Sequence, residues 1–300
     1  MGFLKGLAST LMSLLLFLSL SVFSLLFLIN QTVLNADFIA SEFNKLDIRA
    51  LAGDLITGQL PVAGGQSDYM IEVMDATIAD LEPWANEQVG IIAGDTIDYL
   101  KGKTGSLDIV IPLGPLKSSL ASNIRTAVLS SPPPELAVLT PAQVEQYIGE
   151  ISGQLTRDMP ASFHFSEEDF PDEAQSVIEQ VRQVVSYFGI AFWGLIIFML
   201  LLVLGIVLIS RQVKSATRGL GITFLIYGAL EYAFVYAAKR FLDSEMIPSG
   251  LPEYLNSYLP QLLADFMSPL VIFSIGLMAF GAVLIVISIV YRSEPSPVND

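Results

Sequence analysis

The chain has 300 residues, of which 53% are hydrophobic and only 15% charged, against about 25% charged in an ordinary soluble domain, so part of it lives in lipid. It carries 30 acidic and 15 basic residues, a formal net charge of −15, with a single histidine and no cysteine. These counts exclude a disulfide framework, a thiolate metal site, a catalytic cysteine and a paired-histidine zinc site, and so acidic a chain is a poor match for nucleic acid.

In chain order, residues 1–6 form a short N-terminal segment carrying Lys5, and 7–29 is the first of four stretches apolar enough to cross a hydrocarbon core, which takes about 20 helical residues. A signal peptide is the competing reading of this stretch, with Leu34-Asn35-Ala36 as a poor cleavage site. The run exceeds the usual signal core of about 7–15 residues, which favours a retained anchor. The other spans are 188–209, 220–238, which contains Glu231, and 269–291. Lys5, Arg211, Lys214, Arg218 and Arg292 flank the spans on one side, with Lys239 and Arg240 on the other. The excess of basic residues places both termini, the basic loop 210–219 and the tail 292–300 in the cytoplasm. The expected location is the plasma (cytoplasmic) membrane, with 30–187 and 239–268 outside. Residues 30–187 hold 23 Asp/Glu against 8 Lys/Arg, a net −15, so the remainder of the chain is charge-balanced.

Within 30–187 the pattern is mainly helical. Asn35 reads as the cap of a helix to about Leu46 and Asp47 as the cap of another to about Thr57. Gly58 and Pro61 to Gly65 then break the chain, Gly64-Gly65 serving as a linker. A helix follows from Ser67 to about Leu100, with Ile71, Met74, Ile78 and Leu81 at helical spacing and a bend expected at Glu82-Pro83. Gly102 to Gly105 ends it. Leu107 to Pro112 is a short β-like run, Pro115 to about Ser130 a helix, and Pro132-Pro133-Pro134 a stiff linker. Thr140-Pro141 opens a helix to about Asp158 with cap and proline in their preferred places. Ala161 to Phe165 alternates and is expected to pair with Leu107–Ile111; Ser166 to Asp172 then leads into a helix running unbroken into span two. The expected fold class is a mainly α membrane protein, four transmembrane helices with an α-rich, small α+β extracytoplasmic domain between spans one and two. In 239–268, Leu251, Tyr254, Leu255, Tyr258, Leu259 and Leu262 follow amphipathic helical spacing.

The segments Thr32 to Phe38 (TVLNADF), Tyr99-Leu100-Lys101-Gly102, Leu107-Asp108-Ile109 and Pro115-Leu116-Lys117 are similar to stretches of uncharacterised bacterial four-span membrane proteins with a large helical outer domain. That resemblance implies no activity. The layout of two outer loops also resembles claudin-like and tetraspanin-like proteins, whose cysteine-stapled loops this chain lacks.

Glu231 is the residue with the strongest claim to a role, since a charge at mid-span is costly and faces protein or water. Tyr227, four residues before it, shares its face; Tyr232, Tyr236 and Lys239 lie nearby. A relay or gate is one reading, and a neutral acid fixing helix packing is the blander and favoured one. Ala229, Ala233 and Ala237 on span three, and Gly276, Ala279 and Ala282 on span four, form small-residue ridges suited to close helix packing or self-association. Ser9, Ser13 and Ser24 share a face of span one. The acidic run Glu167, Glu168, Asp169, Asp172 and Glu173 offers hard oxygen ligands for Ca²⁺, but carboxylates at a helix start also serve the helix dipole. His164 reads as an exposed strand residue. No cofactor is expected. The chain reads as a non-enzyme: an integral membrane protein whose acidic outer domain binds a partner, ligand or lipid, or scaffolds an assembly. Expected partners are membrane lipid and a protein partner or a second copy of the chain, with no nucleic acid. The reading from another class is an oligomeric channel or transporter with Glu231 in the pathway.

Overall fold

The computed structural model describes residues 2–46, 66–130, 132, 136, 139–210, 213–245 and 253–290. The chain divides into two compact units, Ala36–Arg182 and the pair of segments Met1–Asn35 and Gln183–Asp300. Elements run in the order α1 (Gly2–Gln31), α2 (Ala36–Phe43), α3 (Gln66–Leu100), β1 (Asp108–Pro112), α4 (Gly114–Ser130), α5 (Pro141–Arg157), β2 (Ser162–Ser166), a 3-10 turn (Glu167–Asp169), α6 (Asp172–Ser210), α7 (Val213–Glu245), α8 (Glu253–Phe266) and α9 (Ser268–Val290). The protein is mostly helical, with one small two-stranded sheet.

Four helical stretches are long and apolar enough to cross a membrane: Gly6–Gln31, Asp172–Ser210, Val213–Phe241 and Tyr258–Val290. The expected spans 7–29, 188–209 and 220–238 fall inside them, and 269–291 does so up to Val290, residue 291 lying outside the described residues. The helices outrun the apolar stretches because backbone hydrogen bonding continues past the point where the side chains turn polar: α7 carries Lys239 and Arg240 within it and α6 begins at Asp172. In this unit Leu16 and Leu20 of α1, Leu202 and Ile206 of α6, and Leu220, Phe224 and Tyr227 of α7 form the core. Phe23 of α1 contacts Phe192 of α6 and Phe273 of α9, with ring centroids 5.3 and 5.7 Å away. The membrane-facing surface is studded with Leu, Ile, Val and Phe, as lipid requires.

The closest approach is between α7 and α9, which run antiparallel. An ideal Cβ built on Gly221 would stand 2.8 Å from the Gly281 carbonyl oxygen, and one on Gly228 would stand 2.7 Å from that of Ser274. Ser288 Oγ donates to the Lys214 carbonyl at 3.0 Å. Positions 214, 221 and 228 thus meet 288, 281 and 274, seven residues apart on each helix. Small residues at this spacing let two backbones touch. The small-residue ridges Ala229, Ala233 and Ala237 on α7 and Gly276, Ala279 and Ala282 on α9 lie off this seam and are all exposed. A ridge stepping by three or by four residues drifts around a helix, whereas a seven-residue spacing stays on one seam with a neighbouring helix.

The Ala36–Arg182 unit is built on α3, which packs beside α2 and α4. Val73, Ile124, Ala127, Val128, Leu136 and Ile148 form its main core. Met74, Ile78 and Leu81 are partly buried, while Val73 and Thr77 in the same stretch of α3 are buried; Ile71 lies outside the described side chains. Pro83 sits inside α3. Asn123 Nδ2 of α4 donates to Asp80 Oδ2 of α3 at 2.8 Å, and Arg125 pairs with Glu145 of α5 at 2.6 Å. Gln143 Oε1 accepts from both the Thr140 N–H and its hydroxyl at 2.9 Å, so the cap and the N1 proline are as the sequence implies. The strands pair antiparallel, Ile109 opposite Phe165 and Ile111 opposite Phe163. Helix α2 ends at Phe43, short of the expected Leu46. The expected helix from Asp47 to Thr57, the break from Gly58 to Gly65, Pro133 and Pro134, Arg211, Leu251, Arg292 and the side chains of Tyr254 and Leu255 lie outside the described residues.

Candidate functional site

Within the Ala36–Arg182 unit a cleft of about 400 Å³ is lined by Tyr99, Glu167, Glu168, Gln175, Ile178 and Glu179. Its floor begins at the end of α3. Gly102 adopts a left-handed φ of 71°; its N–H bonds the Tyr99 carbonyl and the Lys103 N–H bonds that of Asp98, both at 2.9 Å. This is the paired-bond glycine ending of a helix, and it fixes Tyr99 at the turn. Tyr99 is 3% exposed and packs with Leu107 and Ile109.

Tyr99 donates its phenolic proton to Glu167 Oε2 at 2.7 Å. The Arg182 guanidinium lies 4.7 Å from the Tyr99 ring centroid, donates to the Thr104 carbonyl at 3.1 Å and stands 3.8 Å from Glu179. The hydrogen bond to the Glu167 carboxylate raises the Tyr99 pKa above its ordinary value, helped by burial and by the Glu167 charge, with Arg182 acting in the opposite direction. Three glutamates line the cleft and no basic residue does, Arg182 standing beside Tyr99 and Glu179, so the cleft carries excess negative charge. It can hold a cationic group by charge-assisted hydrogen bonds.

The acidic run is divided among several tasks. Glu167 serves Tyr99 and Glu168 lines the cleft; Asp169 Oδ2 accepts from the Ser166 N–H at 2.7 Å, and Asp172 and Glu173 occupy the first turn of α6. Among the described residues no three His, Cys, Asp or Glu side chains gather into a metal-holding group, so the run is not assembled as a Ca²⁺ cage. His164 is exposed, its Nε2 3.0 Å from Ser162 Oγ, and it stands opposite Val110 while its aromatic neighbours stand opposite Ile111 and Ile109.

In the other unit Glu231 and Tyr227 do come together. Tyr227 Oη lies 3.3 Å from Glu231 Oε1, 3.1 Å from Ser24 Oγ and 3.1 Å from the Leu20 carbonyl oxygen. Phe17 packs edge-on against the Tyr227 ring at 5.1 Å. Glu231 is 9% exposed, and its Oε2 is buried without a hydrogen-bond partner; Lys239 therefore does not reach that oxygen. Tyr232 and Tyr236 point away and are exposed. Ser24 is buried with this group, while Ser9 and Ser13 are partly buried.

Sequence reasoning missed Tyr99, Gln175, Ile178 and Glu179 in the cleft, and Arg182 beside it. The aromatic lies 68 residues from its glutamate, a separation no local pattern bridges. It also missed the Gly221, Gly228 and Gly281 seam, which the seven-residue spacing would have revealed. No family model, curated protein or solved structure matches the chain.

Proposed function

We propose that this is a non-catalytic integral membrane protein of the plasma membrane, with cytoplasmic termini, whose acidic helical unit lies outside and binds a cationic partner in the Tyr99–Glu179 cleft. The observation that carries the reading is the cleft itself: about 400 Å³, lined by three glutamates in a segment of net charge −15. A side chain such as lysine or arginine on a partner protein fits that chemistry, since buried or half-buried cations require carboxylates. The orientation rests on the basic residues flanking the spans. A channel or transporter reading would gain from an open path at Glu231; instead that side chain is enclosed by Tyr227 and Ser24.

The test is binding of a fluorescent hexalysine peptide to the full chain in nanodiscs, followed by anisotropy. Saturable binding that weakens about ten-fold in Glu168→Gln/Glu179→Gln, a loss of about 1.4 kcal/mol, supports the cleft. Binding that survives this change but falls equally on neutralising Glu87 and Asp95, carboxylates outside the cleft lining, would show only diffuse attraction and overturn the assignment.

A further inference from the structure

The cluster around Tyr227 is rich in oxygen and poor in protons. Tyr227 has one hydroxyl proton but three oxygens within 3.3 Å: the Leu20 carbonyl, Ser24 Oγ and Glu231 Oε1. These separations exceed the usual O–H···O distance of about 2.7–2.8 Å. The serine protons of α1 already have backbone acceptors: Ser24 Oγ donates to the Ser21 carbonyl at 3.1 Å, and the Ser21 hydroxyl donates to the Phe17 carbonyl at 3.2 Å. Glu231 Oε2 has no partner at all. Among the described residues no positive side chain bonds Glu231: α9 contains no charged residue, α6 contains none from Gln183 onward, Lys5 is the only charged residue of α1, and Lys214, Arg218, Lys239 and Arg240 of α7 stand at least eight residues along the helix from Glu231. A carboxylate in hydrocarbon without a compensating cation is strongly disfavoured.

From this we infer that Glu231, Tyr227, Ser24 and the Leu20 carbonyl form a binding site for one small alkali-metal ion of the sodium class, seated between α1 and α7. The donors are all hard oxygens, which select this kind of ion. Oxygens holding a hard cation at about 2.4 Å stand about 3.4 Å apart at adjacent octahedral corners, close to the 3.1–3.3 Å separations around Tyr227. One carboxylate and one monovalent ion sum to zero charge, whereas a divalent ion would leave a net positive charge in the lipid. When the ion is absent a proton holds the place: binding converts the carboxylic acid to carboxylate and releases one proton. Occupancy would tie α1 to α7, a role separate from the cleft and independent of the reading given for it.

The experiment uses the full chain in detergent micelles at mildly alkaline pH, in sodium, lithium, potassium or choline chloride at equal ionic strength. Carbodiimide modification of Glu231, which requires the protonated acid, is read by mass spectrometry, and thermal unfolding is followed in parallel. Sodium and lithium are expected to suppress labelling and to raise the melting temperature by about 3–6 °C at ten times the dissociation constant; potassium and choline are not. Glu231→Gln should melt at the same temperature in every salt. Should that variant fail to fold, Tyr227→Phe, which removes one ligand oxygen, should raise the protective sodium concentration about ten-fold. Labelling and melting indifferent to the cation would overturn the inference and leave the proton as sole occupant. Equal effects of sodium and potassium, or a Tyr227→Phe protein with unchanged sodium response, would overturn it as well.

Discussion

The α7–α9 seam makes Gly281→Ala the sharpest test of the packing. A Cβ on Gly281 would stand 2.7 Å from the Gly221 carbonyl oxygen and 2.8 Å from the Leu225 nitrogen, both backbone atoms that no rotamer change can move. Restoring an ordinary carbon–oxygen contact of about 3.4 Å means parting the helices by about 0.6–0.7 Å. A gap of about that size forfeits a quarter to a half of each dispersion contact along the seam, and overpacking in well-packed cores costs about 1–3 kcal/mol. The better helix propensity of alanine, worth up to about 1 kcal/mol, offsets part of this. The net expectation is a loss of about 1–2 kcal/mol, which lowers the melting temperature by about 3–8 °C. The assay is thermal unfolding of the purified full chain in mild detergent, with Gly276→Ala as control. Gly276 lies on the same helix with nothing within 4 Å of where a Cβ would stand, so its alanine should be neutral or slightly stabilising. If Gly281→Ala melts with the wild type, or Gly276→Ala falls as far, the seam is not the contact that holds the pair.

Three further expectations concern the Ala36–Arg182 unit. Gly102→Ala forces a Cβ into a left-handed turn at φ 71° and should cost about 1–2 kcal/mol, while Gly105→Ala, in open space, should not; unfolding midpoints decide between them. Tyr99 has a raised pKa, so its folded state holds the proton more tightly than the unfolded chain. Its contribution is then full below about pH 10 and lost as the pH climbs further; the stability gap between wild type and Tyr99→Phe should narrow in alkali, and a gap constant through that range would refute the Glu167 hydrogen bond as its source. Asn123→Ala removes the bonds to Asp80, Thr77 and Ser119 and should cost about 1 kcal/mol, measurable as a shift in denaturant midpoint at unchanged slope.

What could be read in the amino-acid order follows the range of the physics involved. Spans declare themselves because lipid demands an unbroken apolar run, and Thr140-Pro141 because a cap acts over three residues. The pairing of LDIVIP with ASFHF was legible because alternation leaves few registers that bury Ile109. The cleft was not: Tyr99 meets Glu167 only because Gly102 turns the chain, the sheet closes, and Arg182 folds back over the ring. Which small-residue face packs within the chain was not legible for a related reason. Small residues permit close approach on any face, and only the partner helix decides which face is used. Glu231 and Tyr227 were grouped correctly by their four-residue spacing, but the Leu20 and Ser24 oxygens belong to a helix about 200 residues away in sequence.

The pairing of 214 with 288, 221 with 281 and 228 with 274 has a mechanical consequence. If α7 screwed along α9 by one residue, a rise of about 1.5 Å with a turn of about 100°, Ile222 or Leu220 would arrive where only a hydrogen atom fits, so that motion meets a steric wall. The next register that restores glycine opposite a small residue lies seven residues away, about 10.5 Å at the rise of an α-helix, and it strands one end of the seam. The seam therefore opposes a change of register between the two helices, which makes α7 and α9 a strut against which α1 and α6 pack.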